Sequence, residues 1–197
     1  MSLSGELKGL APRLLGYGGP EDDPEIPAGS FAASVAVILR PAQRTHEILL
    51  IRRGESARDP WSGHMAFPGG RREVTDLSLL DTARRETMEE TGILLAERGD
   101  VLGRLPEVTP LSKRLPPLAI VPFVFSVPSE TPAWAATVEV ADTHWVPIGH
   151  FLDPASHTYH HYDAGETVLT FPAFSLEGRT VWGLTHRILE ELIRRYR

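Results

Sequence analysis

Between Phe67 and Gly92 the chain reads FPGGRREVTDLSLLDTARRETMEETG, with six acids in twenty-six positions. Three of them, Glu86, Glu89 and Glu90, fall together if the segment is helical. At about 100° per residue Glu89 lies near −60° and Glu90 near +40° from Glu86, so the three carboxylates share an arc of about 100°. Leu79, Ala83 and Thr87 mark a separate face that can pack inward. Like charges at this spacing cost roughly 0.2–0.5 kcal/mol per pair, and the C-terminal end of a helix disfavours negative charge as well. Arg85, four residues before Glu89, offsets only part of that. Bound Mg²⁺ or Mn²⁺ would turn the repulsion into coordination, since hard divalent cations take carboxylate oxygens and keep waters for substrate phosphates. The competing reading is a charged, solvated surface helix.

Charge is segregated around this stretch. From Arg40 to Arg72 seven arginines face three acids, a balance of +4, whereas from Glu73 to Glu90 six acids face two arginines, a balance of −4. A basic segment abutting an acidic one suits a phosphate-bearing ligand bridged by cations. The whole chain, 197 residues with net charge −6, argues against non-specific binding to nucleic acid. Its 42% hydrophobic content can bury a substantial core, which fits a single domain over 1–197. There are no cysteines, so disulfides, thiolate metal sites and a cysteine nucleophile are excluded. No apolar run approaches a membrane span and no signal-peptide pattern opens the chain, so a cytoplasmic protein without membrane contact is expected.

The elements that must position the acids are legible from pattern. Residues 3–15 could form a short helix ended or kinked by Pro12. Residues 16–30, rich in Gly, Pro and acids, read as an exposed loop within an N-terminal extension (1–30). FAASVAVILR (31–40) and EILLIRR (47–53) read as strands around a polar turn. A loop at 54–64 leads to Pro68, Gly69 and Gly70, and a helix follows from about Ser78 to Thr91, stopped by Gly92 as a left-handed cap. Further strands are expected at 101–108, 118–127, 137–148 and 166–174, where Pro172 favours an edge or a bulge. Leu184, Ile188, Leu192 and Leu189, Ile193, Tyr196 recur at helical spacing, giving an amphipathic closing helix over 182–197. Strands, helix, strands and helix predict an α+β chain, a mixed β-sheet with helices on both sides (an α/β/α sandwich).

Gly70, Asp76, Arg85, Glu86, Glu89, Glu90, Gly92 and Ile93 resemble the signature of the Nudix hydrolases, G-x5-E-x7-R-E-U-x-E-E-x-G-U with U apolar. Asp76 stands where that family usually has Glu, eight residues rather than seven separate it from Arg85, and Thr87 replaces the apolar residue. The resemblance implies a loop-helix-loop at about 69–93 in which Glu86, Glu89, Glu90 and the Gly70 backbone hold divalent ions on a diphosphate. Arg85 would form an orienting ion pair with an acid such as Asp76. The implied reaction is attack of water on one phosphorus of a P–O–P linkage, with no side-chain nucleophile.

Upstream, LLIRRGESARDPWSGHMAFPGG (49–70) resembles the extra motif of the coenzyme A pyrophosphatase branch of that family, L-L-x-x-R-S/A-x3-R-x3-G-x3-F-P-G-G. Leu49, Leu50, Arg53, Arg58, Gly63, Phe67, Pro68, Gly69 and Gly70 match; Gly54 replaces Ser/Ala, and one extra residue separates Arg58 from Gly63. Arg53 and Arg58 could hold the 3′-phosphate or the diphosphate of CoA by bidentate contacts. Trp61 and His64 could stack on adenine or fix the loop, and for Trp61 a packing anchor is the alternative. The implied function is Mg²⁺- or Mn²⁺-dependent cleavage of CoA or acyl-CoA to adenosine 3′,5′-bisphosphate and a phosphopantetheine. The alternatives are another diphosphate substrate (ADP-ribose, NADH, a dinucleotide, a dNTP) and a non-catalytic nucleotide-sensing module.

Two features stay open at this level. His157, His160 and His161 (HTYHH) could bind zinc on a helix, but Pro154 and the following residues favour a loop. The general base could be Glu107, Glu130, Glu139, Glu166 or Glu86 itself. The family resemblance also leaves a homodimer open.

Overall fold

The computed structural model describes residues 7, 9–26, 29–43, 45–55, 61–110, 117–163, 165 and 167–197. Its centre is a pair of long strands, β1 (Phe31–Ala42) and β6 (Leu118–Ser126), which run parallel in register from Phe31 opposite Leu118 to Leu39 opposite Ser126. Every other pairing in the sheet is antiparallel. β2 (Thr45–Arg53) joins the far half of β1, β3 (Met65–Ala66) and β7 (Val140–Pro147) join β2, and β5 (Asp100–Arg104) joins β6. The near half of β1 takes a different neighbour, the three-residue β4 (Gly69–Arg71). Among the described residues a seven-stranded mixed sheet results.

Because side chains alternate across a strand, this sheet builds two cores. Ala36 and Ile38 of β1, Leu49 of β2 and Val121, Phe123 and Phe125 of β6 point to one face and are buried under helix α1 (Leu79–Thr91) and the short α2 (Leu95–Arg98). Val37, Leu39, Ile48, Leu50 and Val124 point to the other, where α3 (Ile148–Leu152) and α4 (Gly183–Tyr196) close over them with Phe151, Leu189 and Leu192. The expected α+β architecture, a mixed sheet flanked by helices, is present. Among the described residues no helix is long and apolar enough to cross a membrane.

A second antiparallel sheet comprises β8 (His157–Asp163), β9 (Val168–Leu176) and β10 (Arg179–Trp182). It corrects the reading of HTYHH as a loop: these residues form β8, seven pairs long against β9. Alternating His and Tyr gave the segment an ambiguous period, and the partner strand decides it. β10 takes Trp182 out of the closing helix, which begins at Gly183. Pro172 lies in the middle strand, yet β10 ends at the Trp182–Ala173 pair, so at Pro172 that flank of β9 is an edge and can tolerate a missing N–H. The strand expected over 101–108 stops at Arg104, with Val108 making a lone bridge to Ile120.

Candidate metal and phosphate site

Helix α1 is fixed at both ends. Ser78 caps it by accepting from the Asp81 amide at 3.1 Å, and Asp23 Oδ2 accepts from the Leu79 amide at 2.9 Å. Asp23 belongs to the stretch expected to be an exposed loop. Its carboxylate is instead mostly covered, accepting also from Tyr17 at 2.8 Å and lying 3.8 Å from Arg72. Burial and the neighbouring Asp23 push the Tyr17 phenol up to about 12. At the other end Gly92 adopts φ 72°, the left-handed cap expected from sequence. A side chain at Gly92 would overlap the Trp134 ring. The Trp134 and Ala136 amides donate to the carbonyls of Thr91 and Glu90, so the segment before β7 closes the helix's last turn.

Thr87 explains its own departure from an apolar residue. It is fully buried, and its hydroxyl donates back to the Ala83 carbonyl at 2.7 Å, so no polar atom is stranded.

Arg85 organises the carboxylates. Its Nε and Nη2 each donate to Asp76 at 3.0 Å, a two-pronged ion pair with an acid whose side chain is only 5% exposed. Its Nη1 reaches Glu86 at 2.9 Å and Glu89 at 3.3 Å, and its Nη2 also donates to the Arg71 carbonyl. Asp76 in turn accepts from the Glu73 amide and the Thr82 hydroxyl. The guanidinium and these donors hold the Asp76 carboxyl down at about 2, and Asp76 drives the Arg85 pKa upward. The extra residue between Asp76 and Arg85 is taken up in the turn before α1. There the Asp76 amide donates to Glu73 and Arg72 Nη2 donates to the Leu77 carbonyl, so Asp76 still faces Arg85.

The double glycine supplies the floor. Gly69 lies at φ 154° against Ser34 and Val35, where a side chain would strike β1 backbone. Its amide donates to Glu90 Oε2 at 2.9 Å. Gly70 leaves the space that the Glu86 carboxylate occupies. Burial, followed in smaller part by the charges of Glu86 and Glu139, pushes Glu90 up to about 8 against the opposing pull of the Gly69 amide and Arg53. Glu86 is raised for the same leading reason, with Glu89 and Glu139 adding to it and Arg85 opposing.

Glu86 and Glu89 lean on Arg85 and Glu90 on Gly69, and among the described residues no three acids or histidines converge tightly enough to hold an ion in this arrangement. The donor set nevertheless fits a hard divalent cation. Three carboxylates line one helix face, two of them disfavour their own charge, and the Gly70 cradle leaves one carboxylate room beside the backbone.

Arg53 approaches this group closely enough for its charge to bear on Glu90. His64 sits beside it in the chain of contacts, its carbonyl accepting from the Arg53 amide at 2.9 Å, while its ring meets Trp182 at 5.2 Å and His160 at 6.2 Å. Trp61 is 44% exposed in the turn before β3. Arg58 lies outside the described residues. Of the candidate bases among the described residues outside α1, Glu139 is the one whose charge bears on both Glu86 and Glu90. Its carbonyl accepts from the Gly54 amide, tying it to the end of β2. Glu130 lines a surface cleft with Arg40, Gln43 and Glu47; Glu107 sits in the segment between β5 and Val108; Glu166 lies outside the described residues. His160 falls on the opposite face of β8 from His157 and His161, so the three histidines do not assemble into one site. Sequence reasoning missed Asp23 and Trp134, whose partners are 56 and about 42 residues away along the chain, too far for a local pattern to show.

A family model described as the NUDIX domain matches residues 30–167, ending before β9, β10 and α4. An uncharacterized protein of Schizosaccharomyces pombe, C14C4.10c, is 38% identical over 131 residues, which cover 64% of this chain and 40% of its own length. The chain therefore spans less than half of that relative. An uncharacterized Nudix hydrolase of Yersinia pestis, NudL, is 31% identical over 163 residues, 82% of this chain and 76% of its own. Among solved structures, a MutT/nudix family protein from Enterococcus faecalis superposes with TM-score 0.54 at 20% identity, covering 88% of this chain and 65% of that one. The C. elegans Ap4A hydrolase superposes with TM-score 0.52 at 18% identity, covering 62% and 83%. At those identities the likeness is one of fold.

Proposed function

Because the chain belongs to the Nudix family, whose domain model matches residues 30–167, we propose that it is a Mg²⁺- or Mn²⁺-dependent pyrophosphohydrolase that cleaves CoA or an acyl-CoA. The observation that carries the reading is the seating of Glu86 over Gly70 and of Glu90 on the Gly69 amide, with the charge of Arg53 bearing on Glu90. Glu86, Glu89 and Glu90 would hold the metal, with the Gly70 backbone alongside. A bound divalent ion would polarise the phosphoryl oxygens and lower the pKa of an attacking water. Arg85, anchored on Asp76, keeps Glu86 and Glu89 oriented. Arg53 meets the negative charge of the diphosphate, and Arg58 is assigned to the same task from its place in the sequence motif. Glu139 is the base that accepts the proton as the water oxygen bonds to phosphorus and the bridging P–O bond breaks. The products would be adenosine 3′,5′-bisphosphate and (acyl-)phosphopantetheine.

The choice of CoA rests on Leu49, Leu50, Arg53, Gly63 and Phe67–Gly70, which follow the extra motif of the CoA-cleaving branch. Incubating the protein and Mg²⁺ with CoA, ADP-ribose, NADH and dNTPs, then resolving products by chromatography, tests it. CoA should be cleaved at concentrations at which the others are untouched. Preferred cleavage of another compound would replace the substrate, and tight binding with turnover of none would sink the enzymatic reading.

A further inference from the structure

The sheet of β8, β9 and β10 has two unlike faces. One sends Phe174 and Val181 into the core against α4. The other is aromatic. His160 stacks on Trp182 with centroids 4.0 Å apart and planes 17° from parallel, while Phe171 and Tyr162 lean on the same indole at 5.5 and 5.8 Å. The His64 ring closes this group from the main sheet, and the Thr185 hydroxyl, donating to the Met65 carbonyl at 3.1 Å, pins α4 beside it. Arg53, whose charge bears on Glu90, donates its backbone amide to His64, and the His64 ring meets the Trp182 indole on which Tyr162 leans.

None of the described residues on this face carries a formal charge, and His160, desolvated and hydrogen-bonded to Thr180, favours its neutral form. Yet Tyr162 and its cross-strand partner Leu169 are 43% and 45% exposed. Uncharged rings left open beside a strongly charged site suit the uncharged, flat part of a charged ligand. A groove for an alkyl chain would be built mainly of branched aliphatic side chains, whereas this wall holds five rings and a single leucine. Leu169, Phe171 and Trp182 lie beyond the stretch matched by the family model, whereas His64, His160 and Tyr162 lie within it, so the wall joins the matched domain to the strands that follow it.

We propose that Tyr162, backed by Trp182, is the stacking platform for the nucleobase of the substrate. The proposal deepens the reading of the site as a hydrolase of a nucleoside diphosphate derivative and rests on it for the position of the phosphates.

Calorimetric titration of the full chain with AMP and with ribose 5-phosphate, each in Mg²⁺, isolates the base. Wild type should bind AMP roughly tenfold or more tightly than ribose 5-phosphate. Tyr162→Ala should erase that preference, Tyr162→Phe should keep it, and His161→Ala, altered on the opposite face, should leave both affinities unchanged. An unaltered AMP preference in Tyr162→Ala overturns the proposal, as does a wild type that does not distinguish the two ligands. So does loss of affinity for octanoyl-CoA relative to CoA with AMP unaffected, which would make the wall a site for an alkyl chain. A protein that binds AMP through Tyr162 yet cleaves no diphosphate would refute the hydrolase reading alone. Cleavage of CoA with AMP binding indifferent to Tyr162 would refute the platform alone.

Discussion

The Glu86 carboxylate occupies the space where any other residue at position 70 would have its Cβ. The double glycine is therefore part of the site as well as of the turn. Gly70→Ala should displace Glu86 and leave most of the fold intact, because β4 keeps its pairing with β1. A misplacement of about 1 Å in a reacting group can cost on the order of 10²-fold, so kcat/KM in Mg²⁺ should fall by up to about that factor. A variant with wild-type kcat/KM and unchanged Mg²⁺ dependence would remove Glu86 from the metal site.

Arg85 and Asp76 make the pair on which the helix face is oriented. Removing one partner of a mostly buried ion pair costs on the order of 3–5 kcal/mol, and Arg85→Lys keeps the charge but not the two-pronged contact. Arg85→Lys should lower both Tm and kcat. The pair also predicts acid sensitivity. The folded pKa of Asp76, about 2, lies below the ordinary aspartate value of 3.8, so its stabilisation is complete above about pH 4 and is lost as pH falls through 2. It amounts to roughly 2 kcal/mol. Urea unfolding at pH 2.5 and pH 6 should show a smaller difference for Asp76→Asn than for wild type.

Asp23 ties a loop that looks dispensable in sequence to the first turn of α1. It takes the Leu79 amide and the Tyr17 hydroxyl together. Asp23→Ala should destabilise by about 1 kcal/mol, the usual worth of a helix cap. Thermal unfolding would show it; an unchanged Tm would mean that Ser78 alone caps α1.

Glu90 joins the acid cluster to the glycine turn through the Gly69 amide. Glu90→Gln keeps an acceptor for that amide and removes a charge that burial disfavours. The variant should lose Mg²⁺-dependent turnover by at least about a hundredfold, while its metal-free Tm at pH 9 equals or exceeds that of wild type. Activity at the wild-type rate would exclude Glu90 as a metal ligand.

What could be read from the chain tracks how local the determinants are. Glu86, Glu89 and Glu90 fall on one face because 3.6-residue periodicity is a property of the helix alone, and Gly92 announces its end. The alternation of Ala36, Val37, Ile38 and Leu39 between two cores is likewise inherent in a strand. Asp76 was harder, because the inserted residue is absorbed by a turn whose hydrogen bonds, Glu73 to Asp76 and Arg72 to Leu77, no spacing rule encodes. His157–Asp163 became a strand only through its pairing with Val168–Leu176, and that pairing also divided the three histidines between two faces. Asp23 and Trp134 reach α1 from distant segments, and their roles exist only in the folded chain.

Glu139 is the remaining piece of the proposed chemistry. It stands just ahead of β7, held through its carbonyl by the Gly54 amide and through its own amide by the Thr137 hydroxyl. Its backbone is therefore fixed while its exposed carboxylate is left able to move toward a water, and its charge already bears on Glu86 and Glu90. Glu139→Gln removes the proton acceptor without changing side-chain size. A positioned base contributes typically 10²–10⁴-fold, so kcat should fall by about that factor with KM little changed. Glu130→Gln, altered at the separate cleft, should keep the wild-type kcat. If Glu139→Gln kept the wild-type rate, the base would have to be sought among the remaining glutamates, with Glu86 the first to test.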